Sequence, residues 1–144
     1  PIGNYLSQYF ANLYLTYFDH WLKEVKKVTY YFRYADDIVV LHSSKEYLHK
    51  LLAEMREYLI VNLKLTIKSN YQVFLVSIRG IDFVGYVFFH THTLLRKTIK
   101  KRFARMMYRR RNRQSFSAYN GWVIHCNGKH LIKKILKINR YRLN

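Results

Sequence analysis

The chain has 144 residues, half of them apolar, which is enough for one ordinary domain or two small ones with a packed core. Of the 26 basic and eight acidic residues, ten basic and all eight acidic residues lie in residues 1–82, a net charge of +2, whereas residues 83–144 hold sixteen basic and no acidic residues, a net of +16. The charge is therefore not spread evenly along the chain. The sequence contains no apolar run of about 18 residues that could span a bilayer. Cys126 is the single cysteine, so an internal disulfide is excluded.

The first predicted element is an amphipathic helix over residues 5–25. Its apolar residues recur at spacings of three and four, so we expect them to form core packing (Leu6, Phe10, Leu13, Tyr17, Phe18 and Trp21). The preceding residues 1–4 predict a turn into the helix N-terminus, where free backbone N–H groups suit phosphate or nucleotide contacts.

Asp36 and Asp37 are the only adjacent acidic pair in the chain. They lie between two β-prone apolar runs, which predict a hairpin with strands near residues 29–34 and 37–42 and with Tyr34-Ala35-Asp36-Asp37 at its tip. Neighbouring carboxylates repel, so a partly buried pair would have at least one raised pKa, and a bound divalent cation would remove that cost. Such an ion also stabilises the charge of phosphoryl transfer. The plainer interpretation is an Asp-Asp turn between surface strands.

The next segment predicts a second helix and three strands. A Ser-x-x-Glu capping box from Ser43 to Glu46 predicts the start of a helix over residues 45–59. Alternating apolar and polar residues then predict a half-buried strand over residues 61–68, and a second hairpin follows with strands over 71–78 and 82–89. Gly85 falls inside the last strand, where a glycine often marks the close approach of another backbone or a ligand.

Residues 91–93 look like a boundary, because the composition changes beyond them. Residues 96–113 contain ten Lys or Arg residues in eighteen positions, with Ile99, Phe103 and Met106 at helical spacing, which predicts a basic helix. Two further helices, over residues 115–125 and 129–139, would complete a small three-helix bundle.

The basic tail favours a nucleic-acid partner. Cations without counter-charges repel one another at low salt, and a phosphate backbone relieves that repulsion and releases counterions. Tyr108, Tyr119 and Trp122 could stack on bases, although Trp122 fits a core position better.

Other kinds of site are disfavoured. The spacings of His90, His92, His125, Cys126 and His130 match no standard four-ligand zinc set. The chain carries neither a nucleophile elbow for a serine hydrolase nor a glycine-rich phosphate-binding loop of the P-loop or dinucleotide type.

Four ordered features resemble the reverse transcriptases of the bacterial, group II intron-like group. They are the loop and helix Pro1-Ile2-Gly3-Asn4-Tyr5-Leu6-Ser7-Gln8, the Tyr34-Ala35-Asp36-Asp37 hairpin, the strand Phe83-Val84-Gly85-Tyr86 and the basic helical tail. In this order and spacing they cover the whole chain.

The first of these features points to a subgroup. Group II intron enzymes typically carry Gln-Gly-x-x-x-Ser-Pro in the loop-helix, where this chain has Ile2, Gly3, Ser7 and Gln8. Replacement of both the Gln and the Pro is typical of reverse transcriptases of diversity-generating retroelements. The stretches 79–86 and 117–122 also look like that family.

The resemblance implies an α+β fold, a partial polymerase palm with an antiparallel sheet and packed helices over residues 1–90, followed by a helical thumb over residues 91–144. It implies that Asp36 and Asp37 are the catalytic Mg²⁺ ligands, Asp36 being the surer one. The remaining implied sites are the nucleotide and template contacts Ile2, Gly3, Asn4, Ser7, Gln8, Tyr34 and Ala35, the primer grip Phe83, Gly85 and Tyr86, and the phosphate contacts Arg96, Lys97, Lys100, Lys101, Arg102 and Arg105.

The implied enzyme is an RNA-directed DNA polymerase that makes cDNA with two Mg²⁺ ions. Its expected partners are an RNA template, a DNA primer or RNA–DNA hybrid, deoxynucleoside triphosphates and a small basic accessory protein, without a membrane, in the cytoplasm of a bacterium or as a phage-encoded protein. The family needs a third carboxylate and a fingers region, both upstream of the loop-helix. Asp19 and Asp82 are poor substitutes for that carboxylate. We therefore expect the chain to be a fragment with almost no polymerase activity by itself.

Two alternatives stay open at this point. The nearer one is a reverse transcriptase of a retron or a group II intron. The other, from a different class, is a non-catalytic RNA-binding protein, which would need only the basic tail.

Overall fold

The computed structural model describes residues 5–109 and 113–140. The chain forms two compact units that divide between Phe74 and Leu75. Each unit combines helices with a small antiparallel sheet, so the predicted α+β fold class is confirmed.

The first unit begins with a helical segment interrupted at Leu15. Helix α1 spans Tyr5–Tyr14, α2 spans Thr16–His20, and a π-helical turn spans Trp21–Val25. The extent agrees with the predicted helix 5–25, but the expected core stripe is wrong over its first part. Leu6, Phe10, Leu13 and Tyr17 are exposed, whereas Phe18 and Leu22 are fully buried. The reason is that the other buried side chains of this unit pack around Phe18 and Leu22 (Val28, Leu51, Met55, Leu59 and Leu63).

Strands β1, Tyr30–Tyr34, and β2, Asp37–Leu41, form the predicted acidic hairpin. They pair antiparallel in a register that runs from Tyr30 opposite Leu41 to Tyr34 opposite Asp37. This register leaves Ala35 and Asp36 as a two-residue turn, so the predicted hairpin and its tip are confirmed.

Helix α3 spans Lys45–Leu63, four residues longer than predicted. Its N-cap is Ser44, whose hydroxyl accepts a hydrogen bond from the Tyr47 backbone N–H at 3.1 Å. The capping box predicted from Ser43 is therefore displaced by one residue, and Tyr47 takes the position expected for a glutamate.

The strand predicted over residues 61–68 is wrong, because its first three residues continue α3. Leu51, Met55, Leu59 and Leu63 recur at a spacing of four and are all buried, so Leu63 gains core contacts as part of the helix. The helix ends at Leu63 and is capped by Lys64, which adopts a left-handed conformation with φ 53°.

The second unit contains a short helix and a three-stranded sheet. Helix α4 spans Val76–Arg79, and strands β3, Ile81–Phe83, β4, Tyr86–Phe88, and β5, Thr93–Leu95, pair antiparallel in the order β3-β4-β5. The strand predicted over residues 71–78 is wrong, since α4 occupies its end. Gly85 lies in the turn between β3 and β4 and not inside a strand.

The predicted boundary near residue 90 falls inside this sheet. Strand β5 pairs with β4 through Phe88 opposite Thr93, so the residues on both sides of the boundary belong to one compact unit. The division into palm and thumb remains a prediction about function, but the compact unit starts well before residue 90.

Three helices follow as predicted, with small shifts of their ends. Helix α5 spans Lys97–Arg109, α6 spans Arg113–Ile124, and α7 spans Lys129–Arg140. Their core is formed by five buried residues (Leu95, Phe103, Met107, Val123 and Ile135). Among the described residues, no helix combines the length and the apolar character needed to cross a membrane.

Candidate functional site

The tip of the β1–β2 hairpin is exposed at all four positions from Tyr34 to Asp37. Ala35 has a φ of 53°, and Asp36 does not share this positive value. Two-residue hairpin turns place positive φ at their first central residue, where glycine, asparagine or aspartate is usual. Because Ala35 has a Cβ, it holds this conformation at a cost of about 1 kcal/mol or more.

The two carboxylates of the tip project from adjacent residues into solvent. The side chain of Asp36 is 82% exposed, and its Oδ2 lies 3.8 Å from Nζ of the equally exposed Lys68. Such a surface pair contributes little to stability, so Lys68 does not compete strongly with another cation.

The donor set of the tip suits Mg²⁺, which is usually held by one or two carboxylates together with waters and substrate phosphates. Asp36 and Asp37 supply two such carboxylates. Within residues 5–109 and 113–140, no group of three or more His, Cys, Asp or Glu side chains could hold a metal ion by itself.

Arg33 connects the tip to the helices of the first unit, a role that the sequence analysis missed. Its guanidinium binds the Asp19 carboxylate through Nε at 2.8 Å and through Nη2 at 2.6 Å. Its Nη1 donates to the backbone oxygen of Ala35 at 3.0 Å and to Oδ1 of Asn12 at 3.1 Å. One side chain therefore joins α1, α2 and the turn that carries the acids.

Asp19, considered a poor substitute for a third metal ligand, is engaged in this network. Tyr31 donates a hydrogen bond from its hydroxyl to Oδ1 of Asp19 at 2.6 Å, in addition to the Arg33 contacts. Burial acts to raise the pKa of Asp19, but the hydrogen bonds from Arg33 and Tyr31 and the charge of Arg33 outweigh it, so the pKa is lowered. The same contacts raise the pKa of Arg33, and burial with the neighbouring carboxylate raises the pKa of Tyr31. Asp19 is thus a charged structural partner.

The predicted nucleotide and template contacts divide into three groups. Tyr34 and Ala35 lie at the exposed tip, and Ser7 and Gln8 lie on exposed positions of α1. Helix α1 is also the helix that Arg33 reaches through Asn12. Ile2, Gly3 and Asn4 lie outside the described residues.

The predicted primer-grip residues surround the tip of the second hairpin. Val84 and Gly85 have positive φ values of 48° and 85°, the pattern of a type I′ turn. A Cβ placed on Gly85 would lie 2.5 Å from Cζ3 of Trp122 and 3.0 Å from Cδ1 of Ile99. The close approach predicted for Gly85 is therefore made by Trp122, and its assignment to the primer stays a prediction.

Neighbouring contacts hold this second tip in place. The hydroxyl of Tyr86 donates to the backbone oxygen of Trp122 at 3.0 Å, and the rings of these two residues lie 5.6 Å apart. Phe83 is half-buried, so none of the three predicted primer-grip residues is as exposed as the acidic tip.

The basic residues of α5 form a largely exposed surface. Lys97, Lys101, Arg102 and Arg105 are exposed, and Lys100 is half-buried. Lys97, Lys101, Arg105 and Arg109 follow one another at a spacing of four, so they lie along one side of the helix. This side carries four cations over the length of the helix, a pattern suited to a phosphate backbone.

Arg96 differs from the other predicted phosphate contacts. Its Nε binds Oδ1 of Asp82 at 2.5 Å, and its backbone N–H donates to the Gly85 oxygen at 2.9 Å. Asp82 is the only acidic residue from residue 75 onward. Arg96 thus fixes the start of α5 against the sheet, while the next basic residues carry the surface charge.

The aromatic residues considered for base stacking are not equivalent. Tyr119 stacks on Phe103 at 5.0 Å between ring centroids, which makes it part of the core. Trp122 is 39% exposed and covers Gly85, whereas Tyr108 on the basic helix is 60% exposed. Tyr108 is therefore the better placed of the three to contact a base.

Comparisons with known proteins do not assign the chain to a family. No protein-family model matches it, and no curated protein matches it.

Proposed function

We propose that the chain is the palm and thumb portion of an RNA-directed DNA polymerase, a reverse transcriptase. The observation that carries the proposal is the β1–β2 hairpin, whose exposed tip carries the consecutive acids Asp36 and Asp37. In this turn Ala35 holds a positive φ that its Cβ makes unfavourable, and the Arg33 side chain, only 12% exposed, donates to the Ala35 backbone oxygen. Strained and braced conformations of this kind concentrate at functional sites.

The second unit supports the same proposal independently. From residue 75 onward the chain has seventeen basic residues and one acidic residue, and that acid is bound by Arg96. The exposed cations along α5 can follow the phosphates of a template–primer duplex without a base-specific contact. Such sequence-independent grip is what a polymerase requires of its product.

In the proposed reaction, the 3′-hydroxyl oxygen of the primer attacks the α-phosphorus of a deoxynucleoside triphosphate. A new phosphodiester O–P bond forms, the bond from that phosphorus to the pyrophosphate oxygen breaks, and the hydroxyl proton leaves to water. When bound, Mg²⁺ supplies activation of the hydroxyl and neutralisation of the charge on pyrophosphate. Asp36, with Asp37 beside it, would hold that ion, and the exposed residues Tyr34 and Ala35 would adjoin the nucleotide.

The test is primer extension on an RNA template by the longest natural polypeptide that contains this sequence. We expect Asp36→Asn to lower the extension rate by about 10³-fold or more, because the charge that holds the ion is lost. Binding of an RNA–DNA hybrid should persist in the same variant. Glu57→Gln, which removes an exposed carboxylate from α3 of the same unit, is the matched control and should extend normally. Normal extension by Asp36→Asn would refute the proposal.

A finer proposal concerns the type of reverse transcriptase. The aliphatic Ile2 and the polar Gln8 favour an error-prone enzyme of a diversity-generating retroelement over the intron type. Ile2 cannot hold the nascent base pair by hydrogen bonds, so mispairs would be rejected less well. Ile2→Gln should reduce errors opposite template adenines, and an unchanged adenine error spectrum would contradict this assignment.

The alternative function is nucleic-acid binding without catalysis, which the charge of the second unit favours by itself. It requires the basic helices and assigns no task to the acidic tip. Under this alternative, Asp36→Asn leaves every function of the full protein intact. The extension assay above therefore separates the two functions directly.

A further inference from the structure

We infer that Arg33 is the positioning residue of the acidic tip, which it holds in the turn conformation that orients Asp36 and Asp37. The inference concerns an interaction inside the first unit. It rests on the proposed function only in taking the two carboxylates as metal ligands.

The first step is the position of the Arg33 side chain. It is only 12% exposed, although it stands one residue before the exposed tip. Two of its nitrogens are committed to Asp19, which fixes the plane of the guanidinium. Fork-like pairing of this kind gives a rigid orientation that a lysine cannot reproduce.

The second step concerns the acceptor of the third guanidinium nitrogen, Nη1. Nη1 donates to the backbone oxygen of Ala35, the residue with positive φ at the first turn position. That oxygen belongs to the peptide group joining Ala35 to Asp36. A fixed guanidinium therefore fixes the orientation of the peptide that leads into the first acid.

The third step is the reason the turn needs such a contact. Positive φ is costly for alanine, because its Cβ is crowded there, and Ala35 lies exposed beyond the last strand pair, Tyr34 opposite Asp37. A hydrogen bond from a half-buried cation opposes that relaxation. Asn12 on α1 and Asp19 on α2 hold the same cation, so the tip takes its position from these helices.

The primary test compares Arg33→Lys with the wild-type chain by nuclear magnetic resonance. The Ala35 Cα chemical shift and its amide-to-Hα coupling report φ, and Mn²⁺ broadening of the amide signals from Ala35 to Asp37 reports ion binding. We expect Arg33→Lys to lose the positive φ and to bind Mn²⁺ about 10-fold more weakly, as found for residues that orient metal ligands. Arg56→Lys is the matched control, since Arg56 lies over the Tyr71 ring in the same unit.

A second variant separates positioning from general support of the fold. Ala35→Gly removes the crowding that Arg33 is inferred to oppose, because glycine accepts positive φ without strain. Adding Ala35→Gly to Arg33→Lys should therefore restore the turn and the Mn²⁺ affinity to within about 2-fold of wild type, a coupling between neighbouring sites. A merely structural arginine would not be rescued at position 35.

The outcomes distinguish this inference from the proposed function. If Ala35 keeps its positive φ in Arg33→Lys, the inference is overturned whatever the metal does. If Arg33→Lys unfolds and Ala35→Gly does not restore it, Arg33 serves the fold in general and the inference also fails. If the wild-type tip shows no Mn²⁺ broadening while the φ readout responds as expected, the metal site fails and the positioning role of Arg33 stands.

Discussion

The two units of the chain each contain a tight hairpin, and the two hairpins are used in opposite ways. Both turns have two residues and both place a residue other than glycine at positive φ, Ala35 in the first and Val84 in the second. The first tip is exposed and carries two acids, whereas the second is covered by Trp122 over a buried Gly85. A two-residue turn therefore presents charged side chains to solvent in one unit and packs against an aromatic ring in the other.

Because of this difference, the two units offer different surfaces to a ligand. In the near-neutral first unit, the exposed tip carries the two consecutive acids, Asp36 and Asp37. In the strongly basic second unit, Trp122 covers Gly85 at the tip, and exposed basic side chains lie on α5. Substitutions at the two tips and on the basic helix test this difference between the units.

The largest expected effect is at the buried tip. Gly85→Ala should destabilise the protein by about 2–4 kcal/mol, since a Cβ meets Trp122 and Ile99 and the positive φ disfavours alanine. Denaturant unfolding measures the change. The control is Gly121→Ala on α6, where a Cβ meets nothing within 4 Å and should stabilise the helix by up to about 1 kcal/mol. Equal effects at both glycines would remove the evidence for a packed tip.

The next effect concerns the base of the exposed tip. Asp19→Asn should cost about 1–3 kcal/mol, because it leaves the half-buried Arg33 cation without its carboxylate. The folded-state pKa of Asp19 lies below the unfolded value of 3.8, so its contribution is present above that pH and is lost as the pH falls through the lower, folded value. The stabilities of wild type and Asp19→Asn should therefore begin to converge as the pH falls below 3.8 and should meet below the lower, folded-state pKa. A stability difference that persists unchanged at pH 2 would contradict the ion pair.

A smaller effect tests the basic surface. Replacing Lys101 and Arg105 by Gln should weaken binding of an RNA–DNA hybrid about 10-fold and reduce the slope of log affinity against log salt by about 2. Replacing Lys45 and Lys50 of α3 by Gln removes the same number of charges from the near-neutral unit and should change affinity less than about 2-fold. Fluorescence anisotropy at several salt concentrations measures both. Equal losses in the two pairs would show that net charge, and not the α5 surface, decides binding.

The elements that could be predicted were those whose signals are local. The acidic hairpin followed from two β-prone runs around a turn, and its register from Tyr34 opposite Asp37 agrees with that pattern. The three C-terminal helices followed from apolar spacing. Residues 61–63 were misassigned because alternation and helical spacing both fit a short apolar run, and the buried position of Leu63 decides between them only in the folded unit.

The parts of the site that could not be predicted depend on contacts distant in sequence. Arg33 stands fourteen residues from Asp19, and its bonds to the Asp19 carboxylate arise only when strand β1 and helix α2 pack together. Trp122 likewise reaches Gly85 across 37 residues, so the glycine could be noticed in the sequence but its neighbour could not. A pattern reveals that a position is unusual, and packing reveals what occupies the space beside it.

The smallest effect, at Ala35, gives the most direct comparison of the two tips. Ala35→Gly relieves the crowding at positive φ, which is worth about 1–2 kcal/mol, but it also raises the entropy of the unfolded chain by about 0.5–1 kcal/mol. The net change should be a stabilisation of less than about 1 kcal/mol, opposite in sign to the change for Gly85→Ala. Denaturant unfolding of the single variants measures this opposition. A clear loss of stability in Ala35→Gly would mean that the alanine methyl group makes contacts that the tip needs, and the exposed tip would then resemble the packed one.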